Sequence, residues 1–233
     1  MDDGSTAGRL LVASPDLTDP NFERSVIYVI DHDEAGAIGV VLNRPADTEV
    51  DEVLPALAPT TAVPRVMFLG GPVSTQGIIC LARARPGRQP NGFHHISGTL
   101  GRLDLEEHLE GAQSEVDELR LFAGYAGWGP GQLDGELIID SWFICEVHPD
   151  DPLDRDPDTL WQRVLRRQGG RLARFAHAPV DADLNWGPYA LSATSSAASA
   201  PSSRFRSSVW SSAASVVSMK STSNLVNRRG SSA

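Results

Sequence analysis

Lysine is nearly missing from this 233-residue chain: the single one is Lys220, close to the C-terminus. Cysteine is almost as scarce, with Cys80 and Cys145 alone and neither in a CxxC pair. Two such residues build no disulfide scaffold, and they read as reduced, buried side chains of a cytoplasmic protein. Long apolar runs are missing too. No stretch approaches the roughly 18 uncharged apolar residues of a membrane span. The opening Met1-Asp2-Asp3-Gly4 is acidic and lacks an apolar run, so no secretory signal is expected. The motifs of common chemistries are lacking as well. There is no P-loop lysine, no GxGxxG, no HExxH, no HxE paired with PCxxC, and no GxSxG elbow. No metal site, cofactor or hydrolytic nucleophile is therefore implied.

What is present is a body able to form a core, followed by something different. Apolar residues make up 41% of the chain, which excludes global disorder. Residues 1–190 hold 15 Arg, no Lys and all 30 acids, a net charge of −15. Residues 191–233 hold Arg204, Arg206, Lys220, Arg228 and Arg229 and no acid, a net charge of +5. A body at −15 repels nucleic acid at long range, so direct DNA binding by the body is disfavoured. In the last 43 residues 16 are serine, and the few apolar residues show no period. That composition does not offset the entropy of ordering, so a disordered tail is expected. Its basicity suits an arm for RNA, for a membrane surface or for the acidic body; an extension without function is the plainer reading.

The body alternates strands and short helices. Leu10-Leu11-Val12-Ala13, Ser25-Val26-Ile27-Tyr28-Val29-Ile30 and Ala37-Ile38-Gly39-Val40-Val41-Leu42 are strands, the last two joined by the polar turn ending at Gly36. Val50, Val53, Leu54 and Leu57 mark one face of a short helix. Val66-Met67-Phe68-Leu69 and Ile78-Ile79-Cys80-Leu81-Ala82 are strands that a hairpin could join. A helix is expected over 103–109 and a strand over 119–123, followed by a glycine-rich turn. Next come a helix over 132–140 and a strand over 141–147. A last helix runs over 159–168, capped by Asp158 and stopped by Gly169-Gly170. It carries Leu160, Trp161, Val164 and Leu165 on one face and Arg163 and Arg167 on the other. These arginines either pair with Asp154, Asp156 and Asp158 or meet an acidic partner or RNA. Without strict βαβ spacing, the fold class is a single mixed-sheet α/β or α+β domain.

Three segments are candidates for binding. Asn43-Arg44-Pro45 and Gly70-Gly71-Pro72-Val73 each lie just past a strand, and Arg44 suits a carboxylate or phosphate. Gly124-Tyr125-Ala126-Gly127-Trp128-Gly129-Pro130-Gly131 comes after a strand and precedes a helix, where backbone N–H groups can meet an anion. Tyr125 and Trp128 offer stacking faces; a tight aromatic-glycine corner is the competing reading. The candidate rim is Asn43, Arg44, Gly70, Gly71, Tyr125, Trp128, Gly129 and Gly131, for a small ligand or anion. Among the histidines, His94-His95 are adjacent in a strand and face opposite sides, so they share no metal.

Several ordered blocks resemble the bacterial YqgE/AlgH family. They are Leu11-Val12-Ala13-Ser14-Pro15, Asp19-Pro20-Asn21-Phe22-Glu23-Arg24-Ser25-Val26-Ile27-Tyr28-Val29, Gly36-Ala37-Ile38-Gly39-Val40-Val41-Leu42-Asn43-Arg44-Pro45, Gly70-Gly71-Pro72-Val73 and Phe122-Ala123-Gly124-Tyr125-Ala126-Gly127-Trp128-Gly129-Pro130-Gly131-Gln132-Leu133. Residues 161–167 and Ala178-Pro179 with Asp183-Leu184-Asn185 also match. The resemblance divides the chain into a flexible start (1–7), a domain (8–187) and the tail (188–233). It implies a mixed sheet partly closed into a barrel and surrounded by helices, in a cytoplasmic protein without established catalytic residues. Some members are described as regulators of alginate production. A non-enzymatic regulator or adaptor acting through protein partners is the function it implies; a small-ligand or anion-binding protein, possibly an enzyme, is the alternative. The chain departs from the family pattern in its serine-rich tail and at Asp134-Gly135 and Ile138-Ile139-Asp140-Ser141.

Overall fold

A computed structural model describes residues 5–109 and 115–178. The expected tail, and residues 1–4 of the expected flexible start, lie outside the described residues. The elements run β1 (Leu10–Ala13), β2 (Val26–Asp33), β3 (Gly36–Val41), β4 (Pro45–Glu49), α1 (Val50–Val53), β5 (Val66–Leu69), β6 (Val73–Ala84), β7 (Phe93–Ser97), β8 (Leu100–Leu103), α2 (Leu105–Leu109), β9 (Val116–Trp128), α3 (Gln132–Ile138), β10 (Trp142–Cys145), α4 (Leu160–Gln168) and α5 (Gly170–Phe175).

All ten strands join one sheet in the order β10-β1-β2-β3-β9-β6-β8-β7, with β5 attached to β9 and β4 to β5. Strand β9 is its axis. One edge of β9 pairs antiparallel with β6 over most of its length. The other edge is shared: Phe122 and Ala123 take β5 in parallel, and residues 126–128 take β3 antiparallel. The sheet curls into a half-barrel, and Tyr28 Oη on β2 lies 2.8 Å from Ser97 Oγ on β7, far along the strand order.

Strands β1 and β3 and the buried parts of β2, β6 and β9 are apolar on both faces because both faces are covered there. Leu10, Val12, Val26, Tyr28, Val40, Phe68, Ile79, Leu81 and Phe122 point inward onto Leu160, Trp161, Val164 and Leu165 of α4. Their alternates Leu11, Ile27, Val29, Val41, Ala126 and Trp128 pack outward with Leu133, Trp142 and Phe22. Further along, Ile78, Cys80, Leu119 and Leu121 pack outward with Val50, Leu54, Leu57 and Leu105. Period-2 alternation thus persists, but it sorts side chains between two cores rather than between core and water.

Helix α4 lies as its periodicity predicts, with its four apolar residues buried and Trp161 Nε1 donating to Ala13 O at 2.9 Å. Arg163 and Arg167 turn to acids of this chain, and Arg166 donates to the Gln162 carbonyl. Arg163 meets Asp154 at 2.5 Å, and Arg167 grips Asp151 with both terminal nitrogens. Arg163 also donates to the Asp156 carbonyl.

Three expectations are corrected. The 66–69 and 78–82 strands form no hairpin: β5 pairs with β4 and β9, β6 with β8 and β9, so β9 runs between them. The Gly70-Gly71-Pro72 link carries the chain across β9, which needs close backbone approach. Second, the 124–128 stretch is no turn but the last part of β9, kinked at Gly124 with φ +70. Third, the cap residue of α4 is Thr159, not Asp158, and its hydroxyl donates to Asp156 and accepts from no backbone N–H of the helix.

Candidate functional site

The edge of β9 that β5 and β3 share has a seam. There Val41 N donates to Gly70 O at 2.9 Å, and Gly70 N donates to Ala123 O at 2.8 Å. Only glycine fits this crossing. A Cβ on Gly70 would lie 2.3 Å from Gly124 O, and one on Gly71, at φ +148, would lie 2.3 Å from the Tyr125 carbonyl carbon. Opposite the seam, β6 bulges. From Val73 to Ile78 it takes five steps against two on β9, from Tyr125 to Ala123. Ser74 in that bulge sits at φ +49. Bulges end pairing and re-aim side chains, which favours a hollow beside them.

A hollow of about 240 Å³ opens there, lined by Asn21, Val41, Arg44, Leu69, Gly71, Pro72, Thr75 and Ala123. Its lining mixes the apolar Val41, Leu69, Pro72 and Ala123 with the polar Asn21, Arg44 and Thr75. Leu69 is half exposed although large and apolar, at 51%. The Asn21 carboxamide and the Thr75 hydroxyl line the hollow without a side-chain hydrogen bond to another described residue.

Arg44 is the cation of this hollow. Its guanidinium donates to Pro20 O at 2.9 Å and Glu23 O at 3.2 Å, and it forms no ion pair among the described residues. Partial burial pulls its pKa down, while the charges of Glu23 and Asp19 push it up. It remains a cation whose planar fork is held by two carbonyls, with donors left for a ligand.

The eight residues expected at the rim are divided by the structure. Arg44 and Gly71 line the hollow, and Gly70 lies beneath it. Asn43 turns the other way: its Oδ1 accepts from Val26 N and its Nδ2 donates to Arg24 O, both at 2.9 Å. Tyr125 pairs with Val73 and packs on the inner core. Trp128, Gly129 and Gly131 belong to a separate cluster at the end of β9. There Glu136 accepts from Trp128 Nε1 (2.9 Å), Trp142 Nε1 (2.8 Å) and Gln132 Nε2 (2.9 Å). The Gly129 N–H is taken by Gln132 Oε1 at 3.1 Å, and the N-cap of α3, Gly131, has no side-chain cap bond. Asn21, Val41 and Ala123 lie in the blocks that resemble the family but are not among the candidate site residues, and Leu69 and Thr75 lie outside those blocks. The polar run Ser74-Thr75-Gln76-Gly77, breaking an otherwise apolar strand, is the sequence signal of the bulge.

Among the described residues no group of three His, Cys, Asp or Glu is placed to hold a metal. Cys80 and Cys145 are buried and free; burial raises both thiols, Cys145 to about 11, so neither is a ready nucleophile. No helix among the described residues is long and apolar enough to cross a membrane.

The AlgH-like family model, of domain type DUF179, matches residues 10–173. The chain belongs to the AlgH-like family. The UPF0301 protein of Streptomyces coelicolor is 47% identical over 185 residues, covering 78% of this chain and 96% of that relative. The UPF0301 protein of Mycolicibacterium smegmatis is 42% identical over 181 residues, covering 76% and 90%. Among solved structures, a crystal structure of a Corynebacterium diphtheriae protein is similar at TM-score 0.69 and 30% identity, covering 74% of this chain and 92% of that one. The solution structure of AlgH from Pseudomonas aeruginosa is similar at TM-score 0.57 and 28% identity, covering 77% and 97%. None of these names carries a reaction. The AlgH-like membership and the half-barrel agree with the YqgE/AlgH resemblance read from the sequence blocks.

Proposed function

We propose that this AlgH-like protein is a non-catalytic binding module, a regulator or adaptor that recognises a carboxylate-bearing ligand in the Arg44 hollow. One observation carries the reading: Arg44 is a partly buried cation at an apolar hollow, and no acid of the described chain pairs with it. The chemistry favours a carboxylate over a phosphate. The guanidinium fork matches one carboxylate, while Glu23 and Asp19 repel any anion and repel a phosphate dianion about twice as strongly. Leu69, Val41 and Ala123 supply the apolar contact, and Asn21 and Thr75 the rim hydrogen bonds. An acidic side chain of a protein partner has this chemistry. Catalysis is not supported, since no hydrogen-bonded nucleophile–base pair lines the hollow among the described residues. Calorimetric titration of the full chain with N-acetyl-aspartic acid α-methylamide, which carries the side-chain carboxylate alone, tests the reading. The expected result is saturable binding that Arg44→Gln weakens at least tenfold, about 1.4 kcal/mol, with its melting temperature little changed. Equal binding by the variant contradicts it.

A further inference from the structure

The Arg44 hollow has room for more than a carboxylate. Its volume of about 240 Å³ is on the order of eight water volumes. An aspartate side chain, one carboxylate and one methylene, leaves about half of that space unfilled. Most of the surface around the hollow is apolar. Its layout is also directional. The Arg44 fork is held by the carbonyls of Pro20 and Glu23, and Asn21 belongs to the same segment, so these polar groups collect at one end. From there the backbone steps across the sheet. Leu69 N donates to Arg44 O at 2.8 Å, and Leu69 registers with Ala123 on β9. Neighbouring strands lie ~4.8 Å apart, so the backbone row Arg44, Leu69, Ala123 spans about 10 Å. The half-exposed Leu69 stands in the middle of that row, and Pro72 and Ala123 continue its apolar surface. Thr75, at the far end beside Gly124, is neutral. No second cation lines the hollow among the described residues.

We infer that the ligand of this hollow is a small aliphatic monocarboxylate of about six carbons, with its carboxylate on the Arg44 guanidinium and its chain along Leu69 toward Ala123. The inference rests on the carboxylate reading above and names the ligand class of that same site. A carboxylate with about five further carbons fills the volume. A shorter chain leaves apolar lining in water, and a longer one runs past the last apolar contact and gains nothing. A second carboxylate at the far end meets no counter-charge and loses part of its hydration there. An aspartate of a partner protein occupies the polar end alone.

Amide NMR titrations of the full chain with butanoate, hexanoate, octanoate and adipate, repeated on Arg44→Gln and Leu69→Ala, test the inference. Fully burying one methylene is worth about fourfold in affinity. Hexanoate should therefore bind at least fivefold more tightly than butanoate, with octanoate within about twofold of hexanoate. Adipate, of the same length but with two carboxylates, should bind at least fivefold more weakly than hexanoate. Leu69→Ala should cut the hexanoate-to-butanoate ratio to about twofold or less and leave butanoate binding in place. Arg44→Gln should remove binding of all four. Equal affinity for butanoate and hexanoate, a chain-length gain that Leu69→Ala leaves intact, or adipate as tight as hexanoate overturns the aliphatic ligand; the carboxylate reading then stands alone wherever Arg44→Gln still removes binding. A chain-length gain that survives Arg44→Gln overturns both. So does the absence of binding by all four acids and by N-acetyl-aspartic acid α-methylamide.

Discussion

A methyl group on Gly71 would lie 2.3 Å from the Tyr125 carbonyl carbon and 2.4 Å from its oxygen, both backbone atoms with nowhere to go. Gly71→Ala is therefore expected to cost about 3 kcal/mol in urea unfolding, through both the clash and φ +148. A cost below about 1 kcal/mol would mean that the crossing over β9 is loose enough to admit a side chain. Cys145 gives the second residue-scale prediction. Burial raises its pKa to about 11, so the fold favours the neutral thiol. The resulting stability is fully present below the unfolded thiol pKa near 8.5–9 and is lost as pH rises through about 11. The stability gap between the parent and Cys145→Ala should shrink by about 2–3 kcal/mol from about pH 8 to about pH 11.5, read by urea unfolding at each pH. A gap independent of pH contradicts the assignment. Residue chemistry is legible in sequence where a side chain acts alone, as in Arg44. It is not legible for Asn43, whose polar atoms serve two backbone groups of the neighbouring strand region brought close only by the fold.

At the scale of elements, Glu136 joins α3 to β9 and β10 by accepting from both indoles and from Gln132. In Glu136→Gln one donor must face another. If Gln132 flips to relieve it, its own amide meets the Gly129 N–H. The expected cost is about 2 kcal/mol. Near-ultraviolet ellipticity from the Trp128 and Trp142 pair, whose ring centroids are 5.9 Å apart, should fall with it. Unchanged ellipticity and stability would remove this network from the account. Most strands and α4 can be read from apolar runs and from the spacing of Leu160, Trp161, Val164 and Leu165. The 124–128 stretch cannot: Gly124 and Gly127, with Gly129 just beyond, signal a turn locally, and pairing with β3 and β6 overrides that signal.

For the molecule as a whole, β9 shares one edge between β5 and β3, and the Arg44 hollow is a consequence of that division. Sequence order alone does not reveal it. The β5–β6 hairpin is the local expectation, and only the parallel placement of β5 beside β9 brings Gly71, Leu69 and Ala123 to Arg44. The measurement that bears most directly on the central claim is a two-dimensional amide NMR titration of the full chain with N-acetyl-aspartic acid α-methylamide, a monoanion. The account predicts saturable shifts centred on Val41, Arg44, Leu69, Gly71, Thr75 and Ala123, absent when Arg44→Gln is added. Shifts centred on the Trp128–Glu136 cluster, or none at all, would contradict it.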